Sequence, residues 1–302
     1  LGGYAFQDLR EEAAKDQTPI IAPLIKMHYQ SYKGLWGGYI TNDAQILNVH
    51  RKYSSRVSRL SNDFNVNFNE ILASGFNVYM SAGALVNAYN LSNFVGNKKT
   101  INSNYMRALP RLYMKGSYPL IKSLSTAKLI VSPIISTVVS PNISKNPYIP
   151  NEDSQDFELS ASNIMLPSRF PGKDIFDSGT RLNYGIEVKL FEKGAQRLNI
   201  FLAQSYSFSM RDIYPTNSGV RKGFSDYVGR LKFHFWNESS LAYSFRLQPN
   251  NFKPRLSQVT FATGTKKLRF SADYIYSTHM FFNQLIESRH QIITSFKDIY
   301  YF

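Results

Sequence analysis

The sequence predicts an all-β protein: a transmembrane antiparallel β-barrel, of which this chain supplies about 12–14 strands of a larger barrel, with one long irregular loop. Three observations predict it. Apolar and polar residues alternate with a period of two over segments near ten residues long. The connections between those segments alternate short and long. No window approaches the roughly 18 uninterrupted apolar residues of a membrane-spanning helix, the best one, Lys128 to Val139, being broken by Ser132, Pro133 and Ser136.

The alternation is clearest from Arg181 onward. Leu182, Tyr184, Ile186, Val188 and Leu190 alternate with Arg181, Asn183, Gly185, Glu187 and Lys189. Successive side chains of an extended chain point to opposite faces, so one face meets an apolar environment and the other a polar one. The even-numbered set is expected to face outward. Leu198, Ile200, Leu202, Tyr206, Phe208 and Met210 continue the pattern against Asn199, Ser205, Ser207 and Ser209. Further runs follow at Leu231/Phe233/Phe235, Leu241/Tyr243/Phe245/Leu247 and Leu268/Phe270/Ala272/Tyr274/Tyr276. An earlier one sets Phe64, Val66 and Phe68 against Asn65, Asn67 and Asn69. The N-terminal third follows the pattern less cleanly.

The connections carry as much information as the strands. A short link at 191–196 is followed by a long one (211–224), a short one (236–239), a longer one (249–255), a short one (264–266) and a long one (277–288). Hairpin turns facing one compartment and extended loops facing the other produce this rhythm in outer-membrane barrels. A soluble β-sandwich or propeller also has alternating strands. Strand length, the loop rhythm and polar faces rich in Ser, Asn, Lys and Arg favour the barrel.

Composition agrees. The 302 residues include 20 Tyr and 22 Phe against 2 Trp, a bias that suits half-buried pleated surfaces and membrane–water boundaries. The formal net charge of +14 implies anionic partners: nucleic acid, anionic lipid or acidic glycolipid. There is no cysteine, so no disulfide, thiolate metal site or cysteine nucleophile exists within the chain. No RNP-like, helix-turn-helix or zinc-finger pattern supports nucleic-acid binding. None of His28, His50, His234, His279 and His290 sits in a nucleophile motif, so neither an enzyme nor a cofactor is expected. The chain begins at Leu1 without a charged-then-apolar leader, which points to a processed or internal segment.

One segment breaks the rhythm. Residues 140–180 show no sustained alternation and hold Pro141, Pro147, Pro150, Pro167 and Pro171, five of the 13 prolines. The segment is acidic, with Glu152, Asp153, Asp156, Glu158, Asp174 and Asp177 against Lys145, Arg169 and Lys173. A long structureless stretch in a compact protein is usually functional or disordered. Phe157, Leu159, Ile164, Met165, Leu166 and Phe170 predict that it packs against the rest of the protein rather than extending into solvent. Arg169 is expected to pair with Asp153, Asp156 or Asp174, because a partly desolvated guanidinium needs a carboxylate.

The stretch IPNEDSQDFELSASNIMLPSRFPGKDIFDSGTRLNYGIEVKLF, from Ile149, resembles the signature region of the lipopolysaccharide-assembly outer-membrane protein family LptD, also called the organic-solvent-tolerance family, especially its alphaproteobacterial members. The matching pieces are the acidic run with Asn151, Glu152, Asp153 and Asp156; Arg169, Phe170, Gly172 and Asp174; and Gly179, Arg181, Asn183 and Gly185. LAQSYSF (202–208), SDYVGRLKF (225–233), LAYSFRL (241–247) and the opening YAFQDLREE with TPIIAPLI are also similar to the family's strands. Ile175 departs from the pattern, since an arginine usually follows that aspartate.

The resemblance implies a barrel of about 26 strands preceded by a periplasmic jelly-roll, sited in the outer membrane. Residues 1–302 would then be part of the C-terminal barrel domain, with the jelly-roll and closing strands lying outside them. It further implies insertion of lipopolysaccharide into the outer leaflet, a plug lipoprotein of the LptE type and a periplasmic bridge of the LptA type as partners. A lumen rich in Arg and Lys would attract the phosphates of that cargo. Candidate lumen-facing residues are Arg181, Lys189, Arg230, Lys232, Arg246, Lys267 and Arg269. Taken singly, each is more simply a solvated pore wall with no ligand preference. The alternative function is a porin-like or substrate-specific diffusion channel, which shares every barrel feature and lacks only the signature segment and the cationic excess.

Overall fold

The computed structural model describes residues 2–5, 19–34, 37–51, 55–96, 99–144, 146–154, 157–209, 213–214, 218–235, 239–265, 268–278, 280–281, 284–285 and 289–298. Every regular element among them is a strand. In chain order these are β1 (Gly2–Ala5), β2 (Ile20–Gln30), β3 (Tyr39–His50), β4 (Arg56–Ile71), β5 (Asn77–Gly96), β6 (Lys99–Ser117), β7 (Leu120–Ser123), β8 (Ala127–Val139) and β9 (Arg181–Glu192). They continue with β10 (Ala195–Ser207), β11 (Gly223–Phe224), β12 (Tyr227–His234), β13 (Ser240–Leu247), β14 (Pro254–Gly264), β15 (Leu268–Ser277), β16 (Met280–Phe281), β17 (Gln284–Leu285) and β18 (Arg289–Asp298).

Sixteen strands form one antiparallel sheet in the order β1-β2-β3-β4-β5-β6-β8-β9-β10-β12-β13-β14-β15-β18, with β7 beside β8 and β11 beside β10; β16 and β17 pair separately. Apart from the short strands β7, β11, β16 and β17, neighbours in sequence are neighbours in space, as an up-and-down wall requires. Among the described residues no pairing joins β1 to β18, so the sheet is open. The fourteen strands of its path match the number expected from the sequence.

The two faces follow the period-two pattern. Leu60 and Phe64 on β4, Tyr184 and Ile186 on β9, and Leu202 on β10 are exposed on the outward face. Ser61, Asn65 and Asn67 on β4, Asn87 on β5, Ser136 on β8, Asn183 on β9 and Ser205 on β10 are buried on the inward face. A one-residue slip would exchange the two sets, so the pattern fixes the register. Leu182 opposes Tyr206, and Ile186 opposes Leu202, which puts outward residues on outward residues.

Short turns (72–76, 124–126, 193–194, 235–239 and 265–267) lie at one end of the sheet, the turn end. The connections 140–180, 208–226, 248–253 and 278–288 lie at the other, the loop end. The length rhythm does not extend to the first strands, where 51–55 and 97–98 are short although they lie at the loop end. There β5 and β6 run for 20 and 19 residues, well beyond the ~9–11 that a tilted crossing needs. Their outward residues at that end are polar, Asn90 donating to Asn104 Oδ1 at 2.7 Å, so these strands continue past the apolar band.

The described residues of 140–180 lie across the inward face, and the largest apolar core among the described residues forms beneath them. Phe157, Leu159, Ile164, Met165 and Phe170 from the segment pack with Phe201 and Ala203 of β10, Val228 of β12 and Ile213. Leu109 of β6 and Leu85 of β5 hold Phe176 in a second cluster.

The outward face gives a first test. Leu202→Arg, in the middle of a strand facing the apolar side, should lower stability in lipid vesicles by about 2–4 kcal/mol, whereas Asn199→Arg on the inward face should cost far less. Denaturant unfolding followed by heat-modifiable gel mobility measures both. Equal costs would contradict the assignment of faces.

Candidate functional site

The segment is built around two short motifs that clasp each other. Asn151 closes a turn on Ser154, its side chain accepting the Ser154 amide at 2.9 Å and donating to the Ser154 carbonyl at 3.1 Å. This turn presents the Asp153 carboxylate to the amides of Lys173 and Asp174, each at 3.0 Å. The Asp174 carboxylate in turn accepts the amides of Glu152 (2.7 Å) and Asp153 (3.2 Å). The close approach needs Gly172, because a Cβ there would lie 2.2 Å from the Asp153 carbonyl oxygen. A glycine is thus demanded by packing, independent of its conformational freedom.

The wall binds the clasp through Arg59 of β4, whose side chain is fully buried. Its Nη1 donates to Asp174 Oδ1 at 2.6 Å, and its Nη2 donates to Asp153 Oδ2 at 2.8 Å and to Gln45 Oε1 at 2.7 Å. A planar guanidinium can serve two carboxylates at once in this way. Tyr89 of β5 donates to Asp174 Oδ1 at 2.8 Å. Arg107 of β6 donates to the Tyr89 hydroxyl and the Asp174 carbonyl, and stacks over Phe176 at 4.3 Å. Asn87 donates to the Lys173 carbonyl at 2.6 Å, Lys173 Nζ donates to the Asp43 carbonyl at 3.0 Å, and Arg51 binds Glu152 through both terminal nitrogens.

A second anchor lies at the end of the segment. Arg169 is buried and pairs with Asp177, donating from its backbone N (2.9 Å) and Nε (3.0 Å) to Oδ2 and from Nη2 to Oδ1 (3.2 Å). The expected pairing of Arg169 with Asp153, Asp156 or Asp174 is therefore corrected: Asp153 and Asp174 are committed to Arg59, while Asp177 lies one short turn from Arg169. Arg181 of β9 reaches the same Asp177 at 3.1 Å and donates to the carbonyls of Leu166 and Pro167, both at 2.9 Å. Tyr214, from the β10–β11 connection, donates to Asp177 and lies beneath the Arg169 guanidinium. Gly179, at φ +89°, makes the left-handed turn into β9, its amide donating to Ser140 Oγ at 2.7 Å.

A third anchor is Arg246 of β13. It is fully buried, 3.2 Å from Glu158, and donates to the Ser218 carbonyl at 2.5 Å, with Asp226 and Arg255 behind it. Arg246 lies on the inward face as the alternation predicts, but the segment covers it, so its placement among open lumen-facing cations is also corrected.

The remaining signature residues serve the same packing. Phe170 packs at a tilt against Phe157 (4.7 Å between centroids) and stacks on Tyr214 (5.4 Å). Asn183 bridges Ser136 and Ser205 on the inward face, and Gly185 lies there beside Met165. Ile175, where the family pattern has arginine, packs on the apolar core and takes part in no ion pair there. Asp156 and Lys267 lie outside the described residues. Lys189 pairs with Glu187 at 2.9 Å, while Arg230, Lys232 and Arg269 stand around an uncovered recess nearer the turn end.

Sequence reasoning did not single out Arg59, Tyr89, Arg107 or Tyr214. Arg59 was within reach, since extending the β4 alternation back from Asn65 puts Asp63, Ser61 and Arg59 inward. Tyr214 carries no comparable signal, because its connection has no period.

Electrostatics make the clasp sensitive to charge. Burial works to raise the Asp153 pKa, but the Arg59 guanidinium and the Lys173 and Asp174 amides outweigh it and hold the group at about 2. Asp177 is held far below the ordinary carboxylate range, Arg169 and Arg181 overcoming its burial. Burial dominates at Asp174, whose pKa is raised despite Arg59. Among the described residues, no cluster of three or more His, Cys, Asp or Glu is arranged to hold a metal ion.

The ordered signature segment and the antiparallel wall have a counterpart among known families. The family model described as LPS transport system D, LptD, matches residues 1–296. The chain belongs to the LptD family. It is also similar to the LPS-assembly protein LptD of Nitrosomonas europaea, 26% identical over 106 residues, a match covering 34% of this chain and 15% of that protein's length. LptD is thus a transport family, and nothing in the fold or the match favours a porin.

Two predictions concern the clasp. Arg59→Met leaves Asp153 and Asp174 without their buried partner and should destabilise the docked segment by about 3–5 kcal/mol. Hydrogen exchange at the amides of 152–154 and 173–174 should rise accordingly, and unchanged protection would refute the bridge. The second concerns acid. Asp153 and Asp177 titrate lower folded than unfolded, so their stabilisation is whole above about pH 4 and is lost as pH falls towards 2, with Asp174 offsetting part of it. Protease protection of the segment should be flat from neutral pH to about pH 5 and fall below about pH 4. Loss of protection near neutral pH would contradict this.

Proposed function

We propose that this chain forms part of the wall of the outer-membrane translocon that inserts lipopolysaccharide into the outer leaflet. The family match over residues 1–296 carries this reading. The sheet supports it with an apolar outward face suited to hydrocarbon and a polar inward face suited to a wet lumen. On this reading residues 1–302 belong to the C-terminal barrel domain, outer-membrane lipids surround it, and an LptE-type lipoprotein and an LptA-type bridge are its partners. The protein works as a conduit, and no catalytic step is assigned to any of its residues.

The cargo dictates the mechanism. Lipopolysaccharide is an amphiphile whose acyl chains must stay in hydrocarbon while its sugars and phosphates stay in water. A closed pore that admits small solutes cannot meet both demands. A wall whose lumen is polar and whose edge can open into the bilayer meets both. The clasped segment fills the loop end of the described inward face, so the cargo's polar part is expected to travel along wall that the segment leaves uncovered.

Depleting the full-length protein should leave lipopolysaccharide in the inner-membrane or periplasmic fraction and sensitise cells to hydrophobic antibiotics. Fractionation with surface labelling of lipopolysaccharide reads this directly. Normal surface lipopolysaccharide, with only small-solute uptake altered, would overturn the translocon and restore the diffusion channel.

A further inference from the structure

The chain holds no Asp or Glu between Glu70 and Glu152. Within that stretch Arg111 of β6 is met by Asp63, and Arg107 of β6 by the Asp174 carbonyl. Lys115 of β6, Lys122 of β7 and Lys128 of β8 lie nearer the turn end and form no ion pair among the described residues. The carboxylates that β9 brings opposite β8, Glu187 and Glu192, are held by Lys189 and Arg197 at 2.9 and 3.1 Å.

The same place exposes a sheet edge. β6 pairs with β8 as far as Ser117, opposite Ile134, and β7 resumes the pairing in unbroken register with Leu120 opposite Val131. Pro119, between them, has no N–H to give the ladder. On its other flank β6 has β5, which begins at Asn77 opposite Ser117. Past that point β7 has β8 on one side and, among the described residues, no strand on the other. Phe76 closes the β5 side: it stacks on Tyr118 and lies over Gly116, where a Cβ would come within 2.5 Å of its ring. All four residues of β7 are exposed, Ile121 at 61%. Leu72 in the β4–β5 turn and Leu124 in the β7–β8 turn are exposed beside it.

A free edge presents a row of backbone N–H and C=O groups, and another extended chain satisfies such a row best. The lysines decide which chain. Like charges across an edge repel, so they disfavour a second copy of β7 and favour an acidic strand. They also distinguish a strand from a lipid head group. Lys122 shares the outward face with Leu120, whereas Lys115 and Lys128 share the inward face with Ile121. A bilayer meets the outward lysine alone. An extended chain sends its side chains to both faces and meets all three.

We propose that the free edge of β7 is a docking site for an extended segment of a partner protein that carries carboxylates among apolar residues, added as a strand on the line of β5. Its carboxylates pair with Lys115, Lys122 and Lys128, and its apolar residues pack on Leu72, Ile121 and Leu124. Four residues of β7 give it about 13 Å of edge. Short turns face the periplasm in outer-membrane barrels, so the partner is periplasmic. The inference goes beyond the translocon reading and needs only the orientation of the wall.

The test is binding of a labelled peptide of Val-Val-Asp-Asp repeats, which puts both residue types on each face, to the purified full-length protein in zwitterionic nanodiscs. Fluorescence anisotropy reads it. Binding should weaken as salt rises, and Val-Val-Lys-Lys repeats or an acidic peptide with a central proline should not bind. Lys122→Glu combined with Lys128→Glu should weaken binding about tenfold, while Lys253→Gln at the loop end should leave it unchanged. The milder Lys122→Gln with Lys128→Gln should weaken it less, and heat-modifiable mobility checks that each variant folds. Hydrogen exchange should slow at amides within 120–123 when the peptide binds. No binding in zwitterionic nanodiscs would overturn the site and leave Lys122 as a lipid anchor. Binding without protection of 120–123, or undiminished by the charge reversals, would overturn it as well. Dimers of the protein that form through residues 120–123 would assign the edge to a second copy and overturn the partner.

Discussion

Arg59 is the residue on which the inward face is organised. A buried guanidinium is costly unless its charge and its donors are met, and removing either side of such a pair leaves the other stranded. Here it is met by two carboxylates 21 residues apart in sequence, Asp153 and Asp174, each of which also caps the backbone of the other's motif. The clasp therefore cannot be assembled piecemeal. The turn at Asn151, the approach at Gly172 and the position of Arg59 on β4 each require the others. This accounts for an acidic segment inside a strongly basic chain: its carboxylates are the counter-charges of arginines on a wall that would otherwise repel itself.

The anchors are spread over the wall, which changes what they achieve. Arg59 belongs to β4, Arg181 to β9 and Arg246 to β13, so one segment ties together strands that do not pair with one another. An open antiparallel sheet has its hydrogen bonds only between neighbours, and its curvature is otherwise set by twist alone. A segment bound at three separated strands fixes the concavity of that part of the wall. The apolar core of Phe157, Ile164, Phe170, Phe201 and Val228 fills the space so enclosed and supplies the non-directional part of the attachment.

The strands were legible in the sequence because their information is local. Leu182 and Asn183 declare their faces by parity, and parity survives whatever the rest of the chain does. That the segment packs inward could also be read, from apolar residues too numerous for a solvated loop. Which residues it meets could not. Arg169 has four aspartates within twenty positions, and only the three-dimensional path shows that Arg59 has already taken two of them. Arg246 shows the complementary limit: alternation gives its face correctly, yet a face says nothing of what covers it. Tyr214 gave no warning at all, since a residue in an irregular connection has no period from which its direction could be inferred.

The same division explains why the two ends of the wall differ chemically. Neutralising a cation with a buried carboxylate removes it from any passing ligand, and the short-range screening of salt removes what field remains beyond about 8–10 Å. The loop end thus presents an apolar, hydrogen-bonded seal with little net charge. The turn end of β12–β18 carries Arg230, Lys232 and Lys297 on inward face that the segment leaves uncovered, and the field there is concentrated by the concave, low-dielectric wall behind it. Under the translocon reading, an anionic head group approaching from the turn end would meet these cations first and the neutralised loop end after them. Transport along such a wall would be helped by that asymmetry, because binding of equal strength along the whole path would hold an anionic cargo in place.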